Sequence, residues 1–187
     1  MPRIPVITES AELTPAQRRV VEGILGRRGG RIPGPYRFGL HCPEVTEAWH
    51  PLGEVLRLKS TFALRLSELA IVVAARAMDC DYVFNAHAPA AIKAGLSDSV
   101  VDALVRGERP KFEHADEEAI HDFCMQLHDR HAVSDAAHAR IVELFGVPGA
   151  VELTALFGYY VMVAMTLLAH EMPLQADARY RLAPRSR

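Results

Sequence analysis

Apolar residues recur at intervals of three and four along most of the chain, the spacing of helices with a buried face. The clearest case begins at Leu64 and consists of the apolar residues Leu66, Leu69, Ala70, Val73, Ala74 and Ala77. They predict a helix with one buried face. No segment alternates apolar and polar residues over the length of a strand. The pattern therefore predicts an all-α fold.

Capping residues and helix breakers mark the ends of further helices. Thr14 and Gln17 predict a helix from about 15 to 28, which Gly29 and Gly30 should stop. The next stretch, RIPGPYRFGLHCP, is too rich in proline and glycine to predict a regular element. The remaining predicted helices are one opened by Pro43 and kinked or divided at Pro51, one over about 81–94 ending at Gly95, a short one from Ser97 to Gly107, one from Asp116, one from Ser134 to Gly146, and a long one from Pro148 to about His170.

Length and composition suit one domain, because 187 residues of which 50% are hydrophobic can bury a substantial core. We expect a helical domain over residues 14–173, with an N-terminal arm over 1–13 and a C-terminal tail over 174–187. The last helix is too apolar to be amphipathic against one neighbour. We therefore expect other helices, and another subunit, to cover it.

Charge and targeting signals exclude several function classes. The chain has 21 basic and 23 acidic residues and no run of like charge, which argues against nucleic acid as a partner. Glu9 and Glu12 stand where a signal peptide would be apolar, and three cysteines without a CxxC motif suit a reducing cytoplasm. The apolar run 156–169 is shorter than the roughly 20 residues of a membrane span. We expect a cytoplasmic protein without a membrane partner.

Histidines recur every seven residues at His114, His121 and His128, with His131 and His138 beyond them. Residues seven apart on one straight helix are too distant to share a metal ion, and the close pair His128 and His131 lacks a further ligand. We expect a solvated face and no metal site.

Three residues stand out as candidates for chemistry: Glu68, Cys80 and His87. Only a few residues join the helix of Glu68 to that of His87, so the two helices should pack antiparallel and bring the carboxylate towards the imidazole. Cys80 and His87 share a helix face but are two turns apart. The start of a helix lowers a thiol pKa, although Asp81 beside Cys80 acts in the opposite direction.

These residues follow a family pattern. Glu68, Cys80 and His87 fit E-x11-C-x-x-C-x-x-x-H, and the chain over roughly 43–173 resembles the alkylhydroperoxidase D-like proteins and the related carboxymuconolactone decarboxylases. The resemblance implies an all-α bundle, homo-trimers or homo-hexamers built by long apolar helices, and sites near subunit contacts. It also implies a small-molecule substrate and no cofactor.

The chain departs from this pattern at Val83, where redox members have their second cysteine. Without that thiol the pair cannot form and break a disulfide. Many non-redox members have a glutamate beside an aromatic residue where this chain has Val83 and Phe84, and that carboxylate is missing too. The missing second cysteine argues most strongly against the redox activity that the resemblance implies.

Three functions remain open. The first is decarboxylase-type acid–base chemistry on a small organic acid or lactone, with Glu68 and His87 as the catalytic pair and Tyr82 and Phe84 contacting the substrate. The second is a thiol-dependent peroxidase that uses Cys80 alone and needs an external thiol. The third is an oligomeric binding or scaffold protein without catalysis.

Overall fold

The computed structural model describes residues 1–28 and 30–184, and within these ranges it contains eight helices and no strand. The predicted all-α fold is confirmed. The helices are α1 Pro15–Arg28, α2 Gly34–Gly39, α3 Pro43–Leu58, α4 Leu64–Ala77, α5 Asp81–Lys93, α6 Asp98–Arg106, α7 Ala115–Arg130 and α8 Asp135–Ala169.

Helix α4 is the centre of the bundle. Every residue from Leu66 to Ala77 is buried, because α5, α7 and α8 all pack against it. The prediction of a single buried face was therefore wrong. Small side chains at Ala70 and Ala74 on the predicted face and at Ala75 on the opposite face leave room for these neighbours. Full burial of a side chain such as Leu69 contributes about 2 kcal/mol.

Helices α4 and α5 form the hairpin that positions the site. Asp79 in the connection has a positive φ of 51°, and Cys80 is the N-cap of α5. So short a connection sends α5 back along α4. Gly95, with a φ of 104°, follows α5, as expected of a residue that ends a helix.

Proline-rich segments account for two differences from the predictions. Helix α2 forms inside the stretch expected to be irregular, because Pro33 precedes it and Pro35 lies in its first turn, where no backbone donor is needed. Helix α3 contains Pro51 and is not divided there. The capping pair before α1 is confirmed, since Thr14 and Gln17 exchange hydrogen bonds of 2.9 and 3.3 Å.

Helix α8 consists of two helical parts that meet at Gly146, whose φ of 70° and ψ of 174° are not helical. The predicted end of one helix and start of the next are thus confirmed. By length and composition alone, α8 would pass for a membrane span, and 44% of its most apolar window is buried inside the bundle. Val147, Val151, Met165 and Leu168 remain exposed along one side of its second part.

Both terminal segments lie against the helices. Arg3 binds the end of α8 through Glu171 and the carbonyl oxygen of Ala169. Near the other end, Leu182 donates its backbone N–H to Asp81 over 2.9 Å. Residues 185–187 of the predicted tail and Gly29 of the predicted helix stop lie outside the described residues.

Candidate functional site

A carboxylate and an imidazole meet between α4 and α5. Glu68 Oε2 lies 2.7 Å from Nδ1 of His87, and the Glu68 side chain is only 4% exposed. This is the contact that the antiparallel packing of the two helices predicted. Because a carboxylate only accepts hydrogen bonds, Nδ1 carries the proton and donates it, which leaves Nε2 for other partners.

His87 lines a cavity of about 300 Å³ between α2, α3, α5 and the second part of α8. This volume lies at the lower end of the range for small-molecule sites. The apolar part of its wall includes Val83, Ala86, Val163 and Leu167. A larger cavity of about 450 Å³ lies beside α7, but neither Glu68 nor His87 lines it.

Tyrosines form a further part of the cavity wall. The hydroxyl groups of Tyr36 and Tyr159 are 3.2 Å apart, and both side chains are buried. The ring of Tyr160 contacts His87 edge-on, with a centroid distance of 5.0 Å. The wall therefore offers flat apolar faces with hydroxyl groups at their edges, which suits a small planar molecule.

Two further polar residues reach the same cavity from distant parts of the chain. Arg57, in the last turn of α3, places Nη2 3.9 Å from Oε1 of Glu68. Gln175 comes from the segment after α8. Arg57 brings a positive charge to the wall, so a ligand with negative charge is favoured there.

Cys80 does not share the cavity that His87 lines. It is 1% exposed, and it is not among the residues that line the cavity. Burial raises the pKa of its thiol, and the backbone N–H groups of Tyr82 and Val83 counteract this only in part. The effect of the helix start, which the sequence suggested, is thus outweighed by desolvation.

The two predicted substrate contacts lie on different sides of α5. Tyr82 lines the cavity, and burial raises the pKa of its hydroxyl. Phe84 does not line it: its ring is fully buried and packs edge-on against Tyr180, with centroids 5.5 Å apart. Phe84 faces the core with Ala88, because positions four apart share a helix face.

The histidine series does not converge. His121 is buried in α7 with Nδ1 3.1 Å from Asp122, and His128 lies 2.9 Å from Asp129. Among residues 1–28 and 30–184, no group of three or more histidine, cysteine, aspartate or glutamate side chains is arranged to hold a metal ion.

A family model describes part of the chain that builds this site. The model of the carboxymuconolactone decarboxylase family matches residues 43–110, from the start of α3 to just beyond α6. This segment is similar to the carboxymuconolactone decarboxylase family. It includes Arg57, Glu68 and His87, whereas Tyr36, Tyr159, Tyr160 and Gln175 lie outside it. A comparison with curated protein sequences finds no match.

Solved structures show that the likeness in fold covers nearly the whole chain. A protein of Ralstonia eutropha JMP134, described as an alkylhydroperoxidase AhpD core and an uncharacterized peroxidase-related protein, has a TM-score of 0.74 at 19% identity; the match covers 94% of this chain and 93% of that one. An uncharacterized peroxidase-related protein of Silicibacter sp. TM1040 has a TM-score of 0.75 at 17% identity, over 95% and 93% of the two chains. The predicted alkylhydroperoxidase D-like fold is confirmed.

Sequence reasoning missed the residues that complete the cavity. Arg57, Tyr159 and Gln175 come from three different elements, and no spacing along the chain links them to Glu68 or His87. A glycine in α3 marks the position of Tyr159, because any Cβ at Gly53 would collide with the Tyr159 hydroxyl. Such a signal is visible only once α3 and α8 are packed together.

Proposed function

We propose that the chain catalyses cofactor-independent acid–base chemistry on a small organic acid or lactone, with His87 as the proton-transfer residue. The observation that carries this proposal is the orientation of one ring. His87 lines a cavity of about 300 Å³, and buried Glu68 holds its Nδ1 over 2.7 Å. A histidine fixed in this way has one defined nitrogen with which to exchange protons with a ligand.

Glu68 acts as the positioning residue in this proposal. Its carboxylate accepts the proton of Nδ1 and stabilises the imidazolium that forms when Nε2 takes up a proton. Arg57 lies on the other side of the carboxylate, with Nη2 3.9 Å from Oε1. The three charged groups therefore support one another at a place where an isolated buried charge would be costly.

For a carboxylated lactone, the chemistry balances with one proton, which Nε2 of His87 takes from solvent in each turnover. The bond between the ring carbon and the carboxylate breaks, carbon dioxide leaves, and the electron pair moves into the conjugated carbonyl to give an enolate. His87 in its protonated form then delivers a proton from Nε2 to carbon. Arg57 acts best on the enolate oxygen, because binding the departing carboxylate would stabilise the ground state instead.

A peroxidase based on Cys80 is less well supported. The structural neighbours are described as peroxidase-related, but that description belongs to them. In this chain Cys80 is buried away from the cavity with a raised thiol pKa, and Val83 lacks the sulfur that would resolve a sulfenic acid. These observations favour proton transfer over thiol chemistry.

The test assays both activities with the same set of proteins. The parent protein, His87→Ala, Cys80→Ser and an exposed control, His138→Ala, are given a panel of carboxylated lactones, and carbon dioxide is measured. The same proteins are then given an alkyl hydroperoxide with excess small thiol. We expect carbon dioxide release from the parent, Cys80→Ser and His138→Ala, and a loss of about 100-fold or more in His87→Ala.

Each other outcome points to a different function. Hydroperoxide consumption that is lost in Cys80→Ser would support the thiol peroxidase and contradict this proposal. Absence of both activities across the panel would support a binding or scaffold protein.

A further inference from the structure

The segment after α8 forms a part of the cavity wall that neither the family pattern nor the pair Glu68 and His87 explains. It begins at Pro173, supplies Gln175 to the cavity, and then runs along α5 to Ala183. It lies outside the matched residues 43–110. The role of this segment at the site therefore follows from its contacts in this chain and not from the family match.

We propose that Gln175 is a specificity-determining residue whose side-chain carbonyl accepts a hydrogen bond from a hydroxyl group on the substrate. This inference rests on the proposed function, because it takes the cavity beside His87 as the substrate site. It narrows the substrate class to small organic acids that carry a hydroxyl group.

The state of the Gln175 amide supports this assignment. Its Oε1 is buried and has no hydrogen-bond partner among the described residues. A buried acceptor without a partner is costly, and a turn of the amide that presents Oε1 to a donor on the ligand removes that cost. Arg57 lines the same cavity and has a buried, unpartnered Nε. Two residues of the cavity wall, Gln175 and Arg57, thus each have a polar atom whose bonding capacity the described residues leave unused.

The segment that carries Gln175 is fixed to the helix that carries His87. The Asn85 side chain forms two hydrogen bonds with the backbone of Tyr180. Nδ2 donates to the Tyr180 carbonyl oxygen over 3.0 Å, and Oδ1 accepts from the Tyr180 N–H over 2.8 Å. The Tyr180 ring packs against Phe84 at a centroid distance of 5.5 Å. Because Asn85 is two residues before His87, these contacts couple the placement of Gln175 to that of the imidazole.

A second anchor lies further along the segment. Arg76, buried at the end of α4, donates Nη1 to the carbonyl oxygen of Ala183 over 2.8 Å. The N–H of Ala183 donates to Val105 over 2.9 Å, and that of Leu182 to Asp81 over 2.9 Å. These hydrogen bonds hold the segment in one position on the helices. A side chain that recognises a substrate must be held in this way.

Four related acids show whether the cavity prefers a ligand that donates a hydrogen bond over one that accepts it. Benzoate has only the anionic group, 4-methylbenzoate adds apolar bulk, 4-methoxybenzoate adds an acceptor, and 4-hydroxybenzoate adds a donor. Their binding to the parent protein is measured by calorimetry. We expect 4-hydroxybenzoate to bind about tenfold more tightly than 4-methoxybenzoate or 4-methylbenzoate, because only its hydroxyl donates to Oε1 of Gln175.

Variants test whether Gln175 is the cause of this preference. Gln175→Met keeps the length of the side chain and should reduce the preference to about one, while benzoate affinity stays within about twofold. Asn85→Ala should weaken the preference through loss of positioning, again with benzoate affinity retained. Asp177→Asn, an exposed change in the same segment, is the control and should preserve the preference.

Three outcomes would overturn the inference: a parent protein that binds none of the four acids, a parent without preference for 4-hydroxybenzoate, and a preference that persists in Gln175→Met. Failure of the proposed function looks different. In that case His87→Ala leaves any turnover unchanged, while the Gln175-dependent preference among the acids remains.

Discussion

Glu68 Oε2 and His87 Nδ1 are 2.7 Å apart although the two residues are separated by 19 positions in the chain. Their contact fixes which nitrogen of the imidazole holds a proton towards the core and which one is left for the cavity. The packing of α4 against α5 therefore decides the chemistry available at this site.

Replacement of Glu68 by glutamine tests the positioning role. Glu68→Gln keeps the shape of the side chain but removes the charge that stabilises the imidazolium, so we expect kcat for carbon dioxide release to fall about 100-fold or more with KM little changed. The measurement is steady-state kinetics over a range of pH. Glu143→Gln, at an exposed ion pair with Arg140, is the control. Equal kcat in parent and Glu68→Gln would show that the carboxylate has no part in the reaction.

Much of this arrangement was predictable from sequence because its causes are local. The capping pair before α1 and the glycines after α5 and α6 act on their own turns, and the short connection between α4 and α5 leaves few ways to pack them. The contact between Glu68 and His87 follows from that packing.

The remainder of the site depends on packing between distant elements. Arg57, Tyr159 and Gln175 become neighbours only when α3, α8 and the C-terminal segment meet around α5. The same limit explains the error about α4, since the sides that carry Glu68 and Arg76 look exposed until three helices cover them. The side of α5 that Phe84 occupies is likewise set by its contact with Tyr180.

The three cysteines should differ in reactivity. Cys42 is exposed, whereas Cys80 is buried with a raised thiol pKa, and burial raises the pKa of Cys124 still further. Thiolate is the reactive form, so we expect iodoacetamide at pH 7.5 to modify Cys42 at least about tenfold faster than Cys80. Mass spectrometry of timed samples measures this, with Cys42→Ser as the control. Modification of Cys80 at the rate of Cys42 would revive the thiol peroxidase.

Stability should decline in mild acid partly because of His121. Burial lowers the pKa of this side chain below its ordinary value of 6.5, and Asp122 opposes the effect only in part. As the pH falls through 6.5, the unfolded chain binds a proton that the folded chain does not, so this contribution to stability is present above pH 6.5 and is lost below it.

Urea unfolding at pH 7.5 and pH 5.5 measures the effect of this histidine. We expect the loss of unfolding free energy between the two pH values to be smaller in His121→Gln than in the parent, because glutamine does not titrate. His138→Gln, at an exposed position, should behave like the parent. An equal loss in parent and His121→Gln would contradict the assignment.

The exposed apolar side of α8 suits self-association. Val147, Val151, Met165 and Leu168 form one stripe on its second part, and we propose that a second copy of the chain covers it. Val151→Glu should shift the protein towards the monomer in sedimentation velocity, because a buried unpaired carboxylate is costly. Ala139→Glu, at an exposed position on the first part of α8, is the control. An unchanged sedimentation profile for Val151→Glu would exclude this stripe from the interface.

The most direct test of proton transfer by His87 is the rate of carbon dioxide release from a carboxylated lactone by His87→Ala relative to the parent at pH 7. The geometry of the dyad predicts a loss of about 100- to 10,000-fold, with helical content and unfolding temperature retained. A His87→Ala protein that releases carbon dioxide as fast as the parent, or a parent that releases none across the panel, would contradict it.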